Sequence, residues 1–233
     1  MLRNDASHAQ AAAAGKSGSK PRRRTRERIL ETSLALFNNF GEPNVTTSVI
    51  ADELNISPGN LYYHFSSKDE ITSTLFLQFE KEIERTLAAP STRPANVEDV
   101  WLFLHLLFEA VWRYRFLYRD LDDLLSRNRL LEVRFKRLVS HKTDVATALC
   151  RGLVAQGQMQ AGADEIRALA TNMACVATCW LSFEYVRNPR NMVESAVLAQ
   201  GAYQVMCMIA PFLAGTGRTL FERLAQEYLS AVA

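Results

Sequence analysis

No run of 18 or more apolar residues occurs in this 233-residue chain, so no membrane span is expected. Ala11–Ala14 is the longest apolar patch near the start, and Gly15 and Lys16 interrupt it, so a secretory leader is not expected either. Glycine (10) and proline (7) are sparse, and apolar residues recur at helical rather than alternating spacing, which leaves little room for strands and turns. The four cysteines, Cys150, Cys175, Cys179 and Cys207, show no CxxC spacing. Cys175 and Cys179 are one helical turn apart, but no His or carboxylate stands nearby to complete a metal site, so none is expected. Thiols in apolar helices point to buried or interface positions in a reducing compartment, hence the cytoplasm. A nucleophile–base motif, a P-loop, an HExxH helix and a dinucleotide fingerprint are all missing, so an enzyme and a tightly bound cofactor are not expected. His105 and His141 sit in helical stretches; Glu109, four residues after His105, reads as a helix-surface pair.

What remains is a chain of globular composition, 48% hydrophobic and 22% charged, read as all-α. Its net charge of +2 is unremarkable, but the charge is unevenly placed. Residues 1–28 carry eight basic groups, among them Arg22, Arg23 and Arg24, against Asp5 and Glu27. Residues 29–68 carry Glu31, Glu42, Asp52 and Glu53 against Lys68 alone. A basic arm therefore precedes an acidic unit.

Residues 1–21 read as a disordered basic tail. A first helix is predicted from about Thr25, with Ile29, Leu30, Ser33, Leu34, Leu36, Phe37 and Phe40 on its inner side and Gly41 closing it. Thr46 or Thr47 can cap the next helix, in which Ile50, Ala51 and Leu54 face inward. Asn55 falls at a sharp turn and tolerates a left-handed backbone; Ile56 then packs down. Ser57 is a good N-cap and Pro58 a good first helical residue. Leu61 and Phe65, four apart, anchor a very short helix from beneath, which leaves Tyr62, Tyr63 and His64 pointing outward. Three polar aromatics in succession suit a surface that meets a partner better than a core. Ser67 and Glu70 have the spacing of a capping box, opening a helix with Ile71, Leu75, Phe79 and Ile83 on one line that runs to about Leu87. Pro90 and Pro94 mark a break. Five or six long helices should follow, with interruptions near Tyr114, Arg127-Asn128, 160–163, Asn188-Pro189 and 215–217.

Ile50-Ala51, Ile56 to Phe65, and Ser67 to Glu70, with Phe37 and Gly41 before Thr46-Thr47, resemble the tetracycline-repressor (TetR) family of transcriptional regulators over residues 25–75. Beyond that the likeness is one of outline, with Tyr114–Leu121 similar to a stretch found in some subgroups. Asn55 departs from the glycine common there. After the tail at 1–21, the resemblance implies a helix-turn-helix unit at 22–68 and an effector-binding and dimerisation domain at 69–233. It implies a homodimer on a palindromic DNA operator, repression as the default, and a small effector. DNA-contacting residues would be Thr47, Ser57, Pro58, Gly59, Asn60, Tyr62, Tyr63, His64 and Lys68. Thr47, Tyr62, His64 and Lys68 would meet phosphates, while Gly59, Asn60 and Tyr63 would face base edges. Arg22, Arg23 and Arg24 form a possible DNA arm.

For the larger domain, residues 164–187 and 191–213 read as the dimer-forming pair, the first carrying Leu169, Met173, Val176, Ala177, Trp180 and Leu181 and the second Val193, Val197, Tyr203, Met206 and Ile209. Residues 101–118 are rich in aromatics; polar groups among such walls make His105, Trp112, Tyr114, Tyr118 and Trp180 the effector-contact candidates, and the effector largely apolar or aromatic. Residues 68–87 would link effector to operator. The competing reading is a dimeric helical ligand-binding or scaffold protein whose helix-turn-helix is not functional.

Overall fold

The basic residues that open the first helix are good helix formers, and Pro21 is tolerated within a first turn, so α1 starts earlier than Thr25 and spans Ser19–Phe40. The computed structural model describes residues 19–88, 93–189 and 192–232, with side chains between Arg24 and Glu227. Of the tail expected at 1–21, residues 19–21 are thus helical and the remainder lies outside the described residues, as does Pro90. Gly41 ends α1 with φ 88°, its amide donating to Phe37 O at 2.9 Å. Phe40 is not part of the core: it is 60% exposed, at the rim of a cleft beside Glu53 and Leu54 where the chain turns away.

A 3-10 turn at Glu42–Asn44 leads to α2 (Thr47–Glu53), and Thr46 is its cap, accepting from Val49 N at 3.3 Å. Asn55 adopts φ 53°, and two bonds close the helix end, Ile56 N to Ala51 O and Asn55 N to Asp52 O, both at 3.0 Å. This is a Schellman end with asparagine in the glycine position. Ser57 caps α3 (Pro58–His64), accepting from Asn60 N at 3.2 Å. Ile29, Phe37, Val45, Ile50, Leu61 and Phe65 form the buried centre of this unit; Ile56 is only half-buried.

α4 (Lys68–Leu87) buries Ile71, Leu75, Phe79 and Ile83 along one line, as their spacing predicts. Its capping box is incomplete. Ser67 Oγ accepts from Glu70 N at 3.2 Å, but the Glu70 carboxylate reaches one residue too far and takes Ser66 N (2.7 Å) and Ser66 Oγ (2.8 Å). Those bonds hold the Glu70 carboxyl below its usual range. α4 packs on α1, on α5 (Val97–Arg113) and on α8 (Arg129–Ala155).

Between α5 and α8 the chain makes two short helices, α6 (Arg115–Arg119) and α7 (Leu121–Arg127). The interruptions at Tyr114 and Asn128 agree with expectation, whereas that at Asp120 carries no glycine or proline and was not foreseen. α8 ends earlier than residues 160–163: Gly157, at φ 67°, closes it. α9 (Ala163–Arg187), α10 (Glu194–Ile209) and α11 (Gly215–Val232) complete the described helices, with α9 sandwiched between α8 and α10 and α10 also against α5. Among the described residues there is no strand, only the isolated pairing of Met159 with Leu213.

Candidate nucleic-acid interface

α3 separates two kinds of side chain. Leu61 and the following Phe65 are buried, fixing the helix on its support, while Tyr62 and Tyr63 are 51% and 63% exposed. His64 is half-buried, edge-on to Tyr63 with ring centroids 5.3 Å apart. Ser57, Pro58, Gly59 and Asn60 lie on the same open surface. Gly59 is not required by the fold: a β-carbon there would meet only Ser57 Oγ, at 3.9 Å. A bare backbone at an open helix start leaves room for an approaching partner. The Thr47 and Tyr62 hydroxyls are 3.0 Å apart, tying α2 to α3 and presenting two hydroxyls side by side. The surface therefore offers hydroxyl, amide and imidazole groups on a rigid two-helix support.

Two expected contributors are placed differently. Lys68 Nζ donates to Glu42 O at 2.9 Å and stands 3.3 Å from Glu42 Oε1, so its ammonium is committed to the protein rather than held ready for a phosphate. Arg22, Arg23 and Arg24 belong to the first turns of α1 and not to an extended arm; Arg24 is exposed. Arg26 lies over the Phe65 ring at 4.3 Å, so part of this basic cluster braces the unit.

Glu42, which sequence reasoning did not single out, is fully buried. Its carboxylate receives Arg127 Nη2 at 2.7 Å from α7 and Thr72 Oγ1 at 3.4 Å from α4, and its amide donates to Asp120 Oδ2 at 2.9 Å. Hydrogen bonds to Asp123 and to Glu42 push the Arg127 guanidinium to hold its proton still more firmly. Nearby, Asn38 of α1 spans the α5–α6 break, donating to Arg113 O at 2.8 Å and accepting from Phe116 N at 3.1 Å. Arg119 Nη2 donates to Phe37 O at 3.3 Å. The α1–α3 unit is thus fastened to α6 and α7 through buried polar groups.

The five effector candidates do not converge. His105 is half-exposed and 3.3 Å from Glu109, the surface pair expected. Trp112 lines a cleft of about 610 Å³ between α1, α5 and α10, with Arg115 over its ring at 4.8 Å. Tyr114 and Tyr118 are buried, and burial raises both phenols above their usual range. Trp180 is buried with its indole N–H given to Val197 O at 3.0 Å, so it is a packing residue. Lys142 escaped notice although it lies on the apolar line of α8 that includes Leu131, Phe135, Leu138 and Leu149; a charged residue at that spacing was the available signal.

The apolar residues expected to pair two subunits are mostly turned inward: Leu169, Met173, Ala177, Trp180, Leu181, Val197, Met206 and Ile209 are buried within one chain. A different stripe of α9 is exposed and uncharged, running through Ala168, Thr171, Cys175, Cys179, Phe183 and Val186. Ala199, Tyr203 and Cys207 on α10 are half-exposed. By length and mean hydropathy α9 and the stretch Glu194–Phe212, α10 with the 3-10 turn after it, could each cross a bilayer, although 44% of either apolar window is buried inside the fold.

A short helix held from below and open above, preceded by a capped helix and a left-handed turn, defines a helix-turn-helix DNA-binding protein. The family described as "Bacterial regulatory proteins, tetR family" matches residues 29–75, and that described as "TetR: Bacterial transcriptional repressor" matches residues 78–221. The chain belongs to the TetR family. A TetR-family transcriptional regulator from Marinobacter aquaeolei VT8 is 34% identical, covers 88% of this chain and 98% of its own, and superposes with a TM-score of 0.81. Likeness to curated relatives is confined to one segment. The regulator UidR of Escherichia coli (strain K12) is 38% identical over 64 residues, 28% of this chain and 31% of that protein. TcmR of Streptomyces glaucescens is 34% identical over 74 residues, 32% and 31%. The matched region thus spans less than a third of either.

Proposed function

We propose that the chain is a ligand-responsive repressor that binds a palindromic DNA operator as a homodimer in the cytoplasm, with residues 22–68 reading DNA and residues 69–233 binding effector and partner subunit. The observation that carries this reading is the two-sided α3: Leu61 and Phe65 buried, Tyr62 and Tyr63 open, and a glycine at position 59 that nothing in the fold demands. Thr47, Tyr62 and His64 reach phosphates, while Gly59, Asn60 and Tyr63 approach base edges from a helix start set by Ser57 and Pro58. The uncharged stripe on α9 with its neighbours on α10 pairs two chains, presenting two copies of α3 to successive major grooves about 34–36 Å apart. No catalytic role is assigned to any residue.

Selection of bound fragments from genomic DNA supplies the operator. Tyr62→Ala combined with His64→Ala should then abolish binding while the chain still melts cooperatively, because Tyr62 is exposed and His64 only half-buried. Operator affinity unchanged by the pair would reject this surface as the reader and leave the scaffold reading standing.

A further inference from the structure

Cys175 and Cys179 are exposed one turn apart on α9, whereas Cys150 is buried and Cys207 half-buried. Partial burial, and then the Cys175 thiol hydrogen-bonded beside it, hold the Cys179 thiol above its usual range; the buried Lys142, itself lowered to about 7 by burial, draws it the other way. The Cys207 thiol is hydrogen-bonded to Tyr203 of its own helix. Both α9 thiols belong to the uncharged stripe of Ala168, Thr171, Cys175, Cys179, Phe183 and Val186, and they occupy its middle. The stripe ends at charged side chains, Asp164 and Arg167 on one side and Arg187 on the other.

The two sulfurs touch, but one helix cannot join them. α9 runs unbroken from Ala163 to Arg187. Residues four apart on such a helix have β-carbons about 5–6 Å apart, and a disulfide needs about 3.5–4.5 Å. Closing that gap would distort the turn that carries Trp180 and Leu181 into the core. A thiol of a second chain can supply what the helix cannot. A two-fold contact is self-complementary, with residue i meeting j of the partner and j meeting i. Its axis crosses the middle of the shared patch, and the point midway between Ala168 and Val186 is also midway between the two cysteines. Antiparallel copies of α9 then set Cys175 opposite the partner's Cys179, and Cys179 opposite the partner's Cys175. Ala168, Thr171 and the cysteines are small, so the helix axes can approach to about 8 Å, which brings facing β-carbons within disulfide reach.

We propose that Cys175 and Cys179 form a redox-responsive clasp across the two-fold, in which a hydroperoxide joins Cys175 of each chain to the partner's Cys179 and locks the dimer covalently. This rests on the reading of the uncharged stripe as the contact between chains. One thiol attacks hydrogen peroxide, its sulfur becoming a sulfenic acid as water leaves. The thiolate across the axis then attacks that sulfur, and the hydroxyl group departs as a second water with the proton the thiolate gave up. Each disulfide thus consumes two thiols and one peroxide, which takes up two electrons. In a reducing compartment such a bond is transient and reports oxidant. While it lasts, pairing no longer depends on protein concentration, and both copies of α3 stay together at dilutions where the reduced dimer parts.

The test treats the full chain with hydrogen peroxide, then separates it in denaturing gels without reductant; sedimentation with reductant reports whether it is a dimer beforehand. Most of the protein should run as a dimer that dithiothreitol returns to monomer, formed at a rate unchanged by dilution as long as the reduced dimer persists. Cys175→Ser and Cys179→Ser should each remove that band, and Cys150→Ala combined with Cys207→Ser should keep it. A chain that sediments as a dimer yet gives no band, or a band that survives either α9 substitution or vanishes with the other two, overturns the clasp and leaves the pairing of chains standing. A chain that is monomeric when reduced overturns the pairing itself, and the clasp with it.

Discussion

At the scale of single residues, buried charge decides most of the interesting chemistry. Glu42 has no exposed surface yet joins the DNA-facing unit to α7 through Arg127 at 2.7 Å. Glu42→Gln leaves Arg127 and Lys68 without their shared carboxylate. Removing one partner of a buried pair costs about 3–5 kcal/mol, and both cations here reach solvent, so the low end of about 3 kcal/mol is expected in urea unfolding. A loss under about 0.5 kcal/mol would show that the carboxylate does not hold these elements together. Lys142 works in the opposite direction. Its folded pKa of about 7 lies below the ordinary 10.5, so between those values the unfolded chain holds a proton that the folded chain has released. This group therefore makes stability rise with pH across that window, and the added stability is lost as pH falls toward 7. Lys142→Met should raise the melting temperature at pH 7 and flatten its rise toward pH 10; a variant melting lower than the parent at both pH values would contradict the burial argument.

Helices and turns show what could be read without coordinates. The α2–α3 connection was legible because each step has a local cause: Thr46 and Ser57 cap, Asn55 takes the left-handed backbone, and Pro58 starts the helix. Where the cause is tertiary, pattern reading failed. Asp120 interrupts the chain between α6 and α7 without a breaker residue; its carboxylate accepts from the buried Glu42 amide, a bond spanning 78 positions. The α9 face was misassigned for a related reason. That helix is apolar or small nearly all round, so periodicity could not say which side meets its own core. Among the site residues, outward Tyr62 and Tyr63 followed from inward Leu61 and Phe65, whereas Lys68 was misplaced because its partner Glu42 lies on another element. The turn itself gives a test. Asn55→Gly should change stability by less than about 0.5 kcal/mol, since glycine adopts the same backbone freely. Asn55→Val should cost about 1–2 kcal/mol and weaken operator binding by tilting α3. Equal melting of the two variants would mean that the left-handed turn is not what sets the angle between α2 and α3.

For the whole molecule, the question is how a reading unit that is acidic beyond α1's opening turns, with its exposed cations gathered at the start of α1, holds DNA. Residues 29–68 hold four acidic side chains against Lys68, and Lys68 is engaged with Glu42. One such unit has little electrostatic pull of its own, because phosphate neutralisation supplies much of the affinity for DNA. Two units joined rigidly bind as one, the second engaging at a high effective concentration. Operator affinity should therefore depend steeply on the contact between chains. Phe183 is 53% exposed on the uncharged stripe of α9, so a charge placed there would stay hydrated in one chain and be buried between two. Phe183→Asp should leave the melting of the monomer nearly unchanged, convert the dimer to monomer in sedimentation, and lower operator affinity by about a hundredfold or more. A variant that remains dimeric would move the interface off this stripe. A monomer that still binds the full operator tightly would show that a single copy of α3 suffices, and that pairing serves something other than DNA recognition.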